Sequence, residues 1–119
     1  RAPALRFPKP IDVVQVQTTA TTIYTASDES DFHIASLIAS NVTASAAYVT
    51  MHLVPDGGSV GADNMVLYQH AVAAKNRVLI YNKNSMGLLQ PGMTIQALCG
   101  TNDDINMFGH GFDYRGVFG

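Results

Sequence analysis

This chain has 119 residues, with seven Lys and Arg against nine Asp and Glu. Its net charge of −2, without a basic stripe, excludes binding through nucleic-acid phosphates. The length predicts a single domain. Charged residues make up only 13% of the chain, about half the usual ~25%. A surface with so few charges suits a protein that lies against neighbours in an assembly, and it is equally typical of a Thr/Ser-rich β-sandwich.

The first ten residues differ from the rest of the chain and predict an extended N-terminal arm over 1–10. Leu5 and Phe7 are apolar side chains on this segment, without a core of their own. An arm that packs on its own domain or on a neighbouring subunit is one interpretation and a disordered tail is the other; the two apolar side chains favour the arm. Three prolines exclude a regular helix here and disfavour a central strand: Pro3, Pro8 and Pro10.

From residue 11 onwards the sequence predicts short strands separated by turns. We expect an all-β fold, a single antiparallel β-sandwich over 11–119 that is jelly-roll-like with about eight strands, because such strands recur at the spacing of sandwiches and jelly rolls. The predicted strands are rich in β-branched and aromatic residues: 11–17, 21–25, 32–42, 46–54, 65–72, 77–81, 93–99 and a last strand that begins at Ile105.

Two local patterns refine this prediction. The period of the third strand slips near Ala35–Ser36, so that Ile34 and then Leu37 share the inner face, as at a β-bulge. Sequences that combine Pro with Gly predict tight turns at 55–58 and 91–92, because Pro interrupts a strand and Gly accepts a positive φ.

The sequence lacks the patterns that catalysis and cofactor binding need. The histidines show no metal-ligand spacing, although His33 and His52 could bind a metal together if their strands paired. Ser59 lies in a glycine loop rather than a strained nucleophile elbow. The sequence has neither paired carboxylates flanked by aromatic residues, as in a glycosidase cleft, nor a glycine-rich phosphate loop. The absence of Trp counts against a sugar-binding platform. We therefore predict a non-enzymatic protein without a cofactor or a metal.

Cysteine usage and hydropathy set two further expectations. Cys99, the single cysteine, has no partner for an internal disulfide and predicts a buried, unreactive thiol in a strand. Neither a run of ~18 apolar residues nor a signal peptide occurs, so we expect no membrane partner. Asn41-Val42-Thr43 fits the N-glycosylation pattern, but no other feature indicates a secretory route.

The end of the chain concentrates aromatic residues. On a free terminus these would form an exposed apolar patch, unless they pair with their own sheet or with a partner. Packing of a last strand on its own sheet is one interpretation, and contact with a partner is the other. The residues that we predict as interface anchors lie at the two ends of the chain: Leu5, Phe7, Phe112, Tyr114 and Phe118.

Four segments resemble small structural proteins of tailed bacteriophages. That family carries strands and hairpins of the types TxIYTA, IxSLxxxN, VTxHLVPxGGS and LxPGDTIxA. The match covers about residues 20–108 and consists of strand and turn signatures, so it indicates a sandwich more strongly than a role. The corresponding segments here are TIYTA (22–26), IASLIASN (34–41), VTMHLVPDGGS (49–59) and LLQPGMTIQA (88–97).

The resemblance implies a virion component without enzymatic activity and without catalytic residues. We expect a capsid decoration or cement protein, a homo-oligomer on the capsid surface whose partners are the major capsid protein or other virion proteins. The alternatives are a neck, tail or baseplate accessory protein, and a carbohydrate-binding module on a phage fibre. The chain departs from the family at Met93, where Asp is usual, and in its Gly- and aromatic-rich end beyond Gly109.

Overall fold

The computed structural model describes residues 5–81 and 87–115, and the regular structure in these ranges is entirely β-strand. Two antiparallel sheets form a sandwich, so the predicted all-β fold is confirmed, with nine strands where about eight were expected. In the part of the chain that is described, no helix has the length and hydropathy to cross a bilayer. The strands are β1 (Leu5–Val16), β2 (Thr21–Thr25), β3 (Asp31–Asn41), β4 (Ala47–Val54), β5 (Met65–Val72), β6 (Arg77–Tyr81), β7 (Gly87–Leu89), β8 (Thr94–Cys99) and β9 (Ile105–Arg115).

The strand order is that of a jelly roll. Sheet A has the order β1-β9-β3-β6, and sheet B has the order β2-β8-β4-β5. The first and last strands are therefore neighbours in one sheet, as expected for eight strands wound as two Greek keys. The one strand outside these eight is β7, which has three residues. It pairs with Phe32–Ile34 of β3, beyond the segment of β3 that pairs with β6.

β1 begins earlier than predicted because its first half pairs with the end of β9. The register runs from Leu5↔Arg115 to Ile11↔Gly109, and it shifts before Val14↔Met107. The predicted boundary between an arm (1–10) and the sandwich (11–119) thus falls inside a continuous strand, and residues 1–4 lie outside the described residues. This pairing lengthens sheet A in a molecule that measures 54 × 26 × 20 Å.

The core lies between the two sheets. The β-bulge that the sequence predicted in β3 is confirmed. The pairing of β3 with β9 shifts register between Ile34 and Ser36, and Ile34 and Leu37 are both buried. Burying a side chain of this size stabilises the fold by about 1.5–3 kcal/mol. The largest fully buried side chains are Phe32, Ile11, Ile34, Leu37, Met51, Leu89, Ile95, Ile105 and Met107.

Both predicted Pro-Gly turns are present. Gly57 has a φ of 77° in the turn at 55–58, and Gly92 has a φ of 80° in the second turn, where the Met93 N–H donates to the Gln90 carbonyl at 3.1 Å. At the position where the resembling family has Asp, the Met93 sulfur accepts a hydrogen bond from the Gln90 N–H at 3.3 Å. A thioether is a weak acceptor, so this turn has a weaker cap than a carboxylate would provide.

Candidate interface

Aromatic and cationic side chains line the outer face of sheet A, on the strands that extend to the end of the molecule. Alternate residues of a strand share a face, and the register aligns Arg6 with Tyr114 and His33 with Phe112. The Arg6 guanidinium carbon lies 4.6 Å from the centre of the Phe112 ring, and the His33 and Tyr114 rings lie 4.1 Å apart. Together with His110, whose ring meets Phe112 edge-on at 6.3 Å, we call these residues the aromatic patch.

The structure brings together only part of the predicted set of anchors. Phe112 and Tyr114 both belong to the aromatic patch. Phe7 pairs in register with Asp113, one residue out of phase with Phe112, and therefore lies on the opposite face of sheet A. The backbone of Leu5 begins β1, its side chain lies outside the described residues, and so does the whole of Phe118.

The inner face at this end of sheet A forms an open cleft. It encloses approximately 350 Å³ and is lined by Phe7, Pro8, Lys9 and Asp113, which we call the Asp113 cleft. Asp113 has only 2% of its side chain exposed, and its Oδ2 lies 3.8 Å from Nζ of Lys9, whose side chain is 48% exposed. The cleft therefore combines apolar walls with a buried carboxylate at its base.

Tyr24 of β2 lies close enough to this carboxylate to respond to its charge. Burial raises the pKa of the Tyr24 hydroxyl, and the negative charge of Asp113 raises it further. The Tyr24 ring also contacts the buried ring of Phe32, with 4.3 Å between the ring centres. The aromatic ring of Tyr24 thus joins β2 of sheet B to the core beneath the Asp113 cleft.

A second exposed surface lies on sheet B and was not identified from the sequence. Tyr48 of β4 is 52% exposed and Tyr68 of the neighbouring β5 is 68% exposed. Beside Tyr48, a shallow groove of approximately 220 Å³ is lined by Thr50, Gln69 and Leu98, among others. The residues of a half-polar strand do not by themselves show which of its two faces remains exposed to solvent.

The edge strands of the two sheets differ in how open they are to further pairing. β1 carries Pro8 and Pro10, and proline on an edge strand removes the donors that an added strand would use. β5 contains neither proline nor a charged residue, and among the described strands it pairs only with β4. The β5 edge is interrupted only by register shifts against β4 and by Gln69, whose φ is 43°.

The histidine pair considered as a metal site does not form. His33 belongs to sheet A and His52 to sheet B, so their strands are not neighbours. His52 is buried, and its Nδ1 lies 2.8 Å from Oδ1 of Asn64 and 3.1 Å from the Gly61 carbonyl oxygen, two acceptors that require a protonated Nδ1. Among the described residues, no group of three or more His, Cys, Asp or Glu side chains could hold a metal ion.

Asn41 has a structural role rather than that of a glycan acceptor. Its side chain is buried, and Nδ2 donates to the Ser45 carbonyl at 2.7 Å and to the Val72 carbonyl at 2.9 Å. Oδ1 accepts hydrogen bonds from the backbone N–H and the hydroxyl of Thr43. The hydrogen-bonding capacity of this amide is used inside the fold, so Nδ2 is not available for the attachment of a glycan.

Cys99 is buried, as predicted. Its sulfur lies 3.3 Å from the Val16 carbonyl oxygen and 2.8 Å from that of Thr101. Burial is the main cause that raises the pKa of this thiol. The side chain therefore lacks both the access and the thiolate character that a reactive cysteine requires.

Comparison with known proteins identifies a fold but no family. No family model and no curated protein matches the sequence. A subunit from a structure entitled "Bacillus endospore appendages form a novel family of disulfide-linked pili" superposes with a TM-score of 0.59 at 16% identity, covering 97% of this chain and 90% of that one. A chain of the infectious bursal disease virus Gx strain gives a TM-score of 0.42 at 13% identity, covering 97% of this chain and 33% of that one. The pilus subunit shares the fold, and neither structure is from a tailed phage, so the tailed-phage resemblance stays a prediction.

Proposed function

We propose that this protein is a non-enzymatic structural subunit of a bacteriophage particle, and that it decorates or cements the capsid shell. The observation that carries the proposal is the aromatic patch, in which Phe112 and Tyr114 lie side by side with Arg6 on one face of a β-sandwich. Aromatic and arginine side chains are the residues that most often dominate the binding energy of protein interfaces. The resemblance to tailed-phage structural proteins supplies the kind of particle.

The mechanism would be additive contact between the patch and the major capsid protein or other virion proteins. Stable interfaces bury about 1,600 Å² in total, and a small weakly charged sandwich can present such an area. Repetition around a shell raises the effective concentration of each contact, so that individually weak contacts hold firmly. No step of this mechanism requires a cofactor.

Self-association is part of the proposal, and β5 is the edge that favours it. The pilus subunit with a similar fold is described as forming disulfide-linked pili. The cysteine of this chain, Cys99, is buried, so copies of this protein would be held by non-covalent contacts.

Val66→Lys on β5 should lower the oligomeric state measured by light scattering. Val13→Lys, at an exposed position on β1, is the matched control and should leave it unchanged.

The proposal is tested by co-sedimentation with empty capsids that lack this protein. The wild-type protein should bind saturably, and the double variant Phe112→Ala/Tyr114→Ala should bind at least about tenfold more weakly, as expected for the loss of interface anchors. Tyr48→Ala, on the other sheet, is the control and should bind normally. If the wild-type protein binds neither capsids nor neck, tail or baseplate parts, the proposed virion role is wrong.

A carbohydrate-binding module on a phage fibre is a second candidate, and the groove on sheet B favours it. Sugar sites combine an aromatic face with polar side chains, and Tyr48 lies there beside Thr50 and Gln69. A glycan array would give hits that Tyr48→Ala abolishes and Phe112→Ala retains. An array without hits removes this candidate and leaves the capsid role untouched.

A further inference from the structure

One oxygen of the buried Asp113 carboxylate, Oδ1, receives no hydrogen bond from the part of the chain that the structure describes. Its Oδ2 is 3.8 Å from the Lys9 nitrogen, which is longer than a hydrogen bond. A buried carboxylate whose paired cation lies beyond hydrogen-bond distance is costly, so a donor that reached Oδ2 from the cleft would gain more than one bound at an exposed acid.

The position of Asp113 opens it to such a donor. The residue lies between Phe7 of β1 and Phe32 of β3 in the register of sheet A, and it forms the base of the Asp113 cleft. Phe7 and Pro8 provide apolar walls along which an alkyl stem can lie. Lys9 is half exposed and can move into solvent, so the cleft is not permanently closed by its own cation.

We propose that the Asp113 cleft binds the cationic end of a basic side chain, an arginine guanidinium or a lysine ammonium, supplied by a partner protein. The cation would donate to Oδ2 of Asp113, the oxygen nearest the Lys9 nitrogen, and its stem would pack against Phe7 and Pro8. Lys9 competes with the incoming cation and therefore lowers its affinity. This site lies on the face of sheet A opposite the aromatic patch, and the proposal does not rest on the virion role.

The test is a titration of the isolated, isotope-labelled protein by NMR with N-acetyl-arginine methylamide and N-acetyl-lysine methylamide. Either cation should produce saturable amide shifts confined to residues 7, 9, 24 and 111–113. N-acetyl-citrulline methylamide, which has the same shape as the arginine probe without its charge, should produce none that saturate. Asp113→Asn should weaken the binding of the arginine probe at least tenfold, and Lys9→Gln should strengthen it several-fold.

The controls separate this site from general attraction to acidic groups and from misfolding. Asp12→Asn, which removes an exposed carboxylate from β1, the strand that carries Lys9, should leave the dissociation constant unchanged. Lys9→Gln replaces a half-exposed side chain and should keep the fold, so it tests the proposal even if Asp113→Asn unfolds. Equal shifts with arginine and citrulline, unchanged binding in Asp113→Asn, or weaker binding in Lys9→Gln would each overturn the proposal without touching the capsid experiment.

Discussion

Gly109 of β9 lies so close to Ser36 of β3 that a Cβ atom on the glycine would overlap the Ser36 carbonyl oxygen. Two residues further along, a Cβ on Gly111 would overlap the His33 carbonyl oxygen and the ring of Phe32. Both glycines face the core, at the point where the bulge in β3 pushes its backbone toward β9. The close approach of two strands thus requires glycine at two alternate positions.

Gly109→Ala should destabilise the protein by about 3 kcal/mol, the upper end of the usual range for overpacking, because the added methyl group meets a backbone carbonyl oxygen. Urea unfolding followed by circular dichroism measures the effect. Gly100→Ala is the matched control: its Cβ would meet open space, and we expect a change within about 0.5 kcal/mol. A Gly109→Ala protein as stable as the control would show that β3 and β9 are not packed this closely.

His52→Ala should cost about 1–3 kcal/mol, because it leaves the half-buried Asn64 side chain and the Gly61 carbonyl without the Nδ1–H donor. These groups order the glycine loop after β4, and Asn64 also donates to the Ser59 carbonyl. Thermal unfolding measures the loss. His70→Ala, at an exposed position of the neighbouring strand, should change stability by less than about 0.5 kcal/mol; equal effects of the two substitutions would contradict the role assigned to His52.

Cys99 should react with Ellman's reagent at least about 100-fold more slowly in the folded protein than in urea. Burial limits access and raises the pKa of the thiol, so little thiolate exists at pH 8. Val13→Cys in a Cys99→Ala background supplies an exposed thiol on β1 and should react at the rate of a free cysteine. Rapid labelling of Cys99 without denaturant would mean that the β8 end of sheet B opens readily.

Stability should fall at alkaline pH, and Tyr24 should contribute to the fall. Burial raises the pKa values of Tyr24 and Tyr81 in the folded state, so folding favours their protonated forms. Their contribution is complete below the unfolded value of 10.0 and is lost as pH rises through the higher folded pKa values. Urea midpoints between pH 9 and 12 should therefore decline less in Tyr24→Phe than in the wild-type protein. Tyr68→Phe, which alters an exposed hydroxyl, should follow the wild type, and a Tyr24→Phe decline as steep as that of the wild type would contradict the assignment.

The features that the sequence predicted depend on residues close together in the chain. The bulge follows from the spacing of Ile34 and Leu37, and each turn follows from the backbone preferences of one Pro-Gly pair. The pairing of residues 5–10 with β9 could not be predicted in this way. Pro8 and Pro10 disfavour a central strand, and they are accepted here because β1 is an edge strand whose only described partner comes from the other end of the chain.

The candidate interface was predictable in its residue types but not in its geometry. Phe112 and Tyr114 share a face because they are two residues apart, whereas the face of Phe7 depends on a register that spans the whole chain. A signal for the Asp113 cleft was present, since Gly109, Gly111 and Asp113 alternate and glycines at such spacing mark a face that another backbone approaches. Burial of Asp113 follows from that face.

The pairing of Leu5 with Arg115 also constrains how the protein is made. Sheet A is completed only when β9 is inserted between β1 and β3, and β9 is the last of the described strands to be synthesised. Until β9 has been synthesised, β1 and the edge of β3 that pairs with β9 therefore have no strand to pair with, and Phe32 and Ile34 lie on that unpaired edge. Folding of this jelly roll should be slow, as is usual for long-range β pairing, and chains that lack β9 should be the species most prone to aggregate.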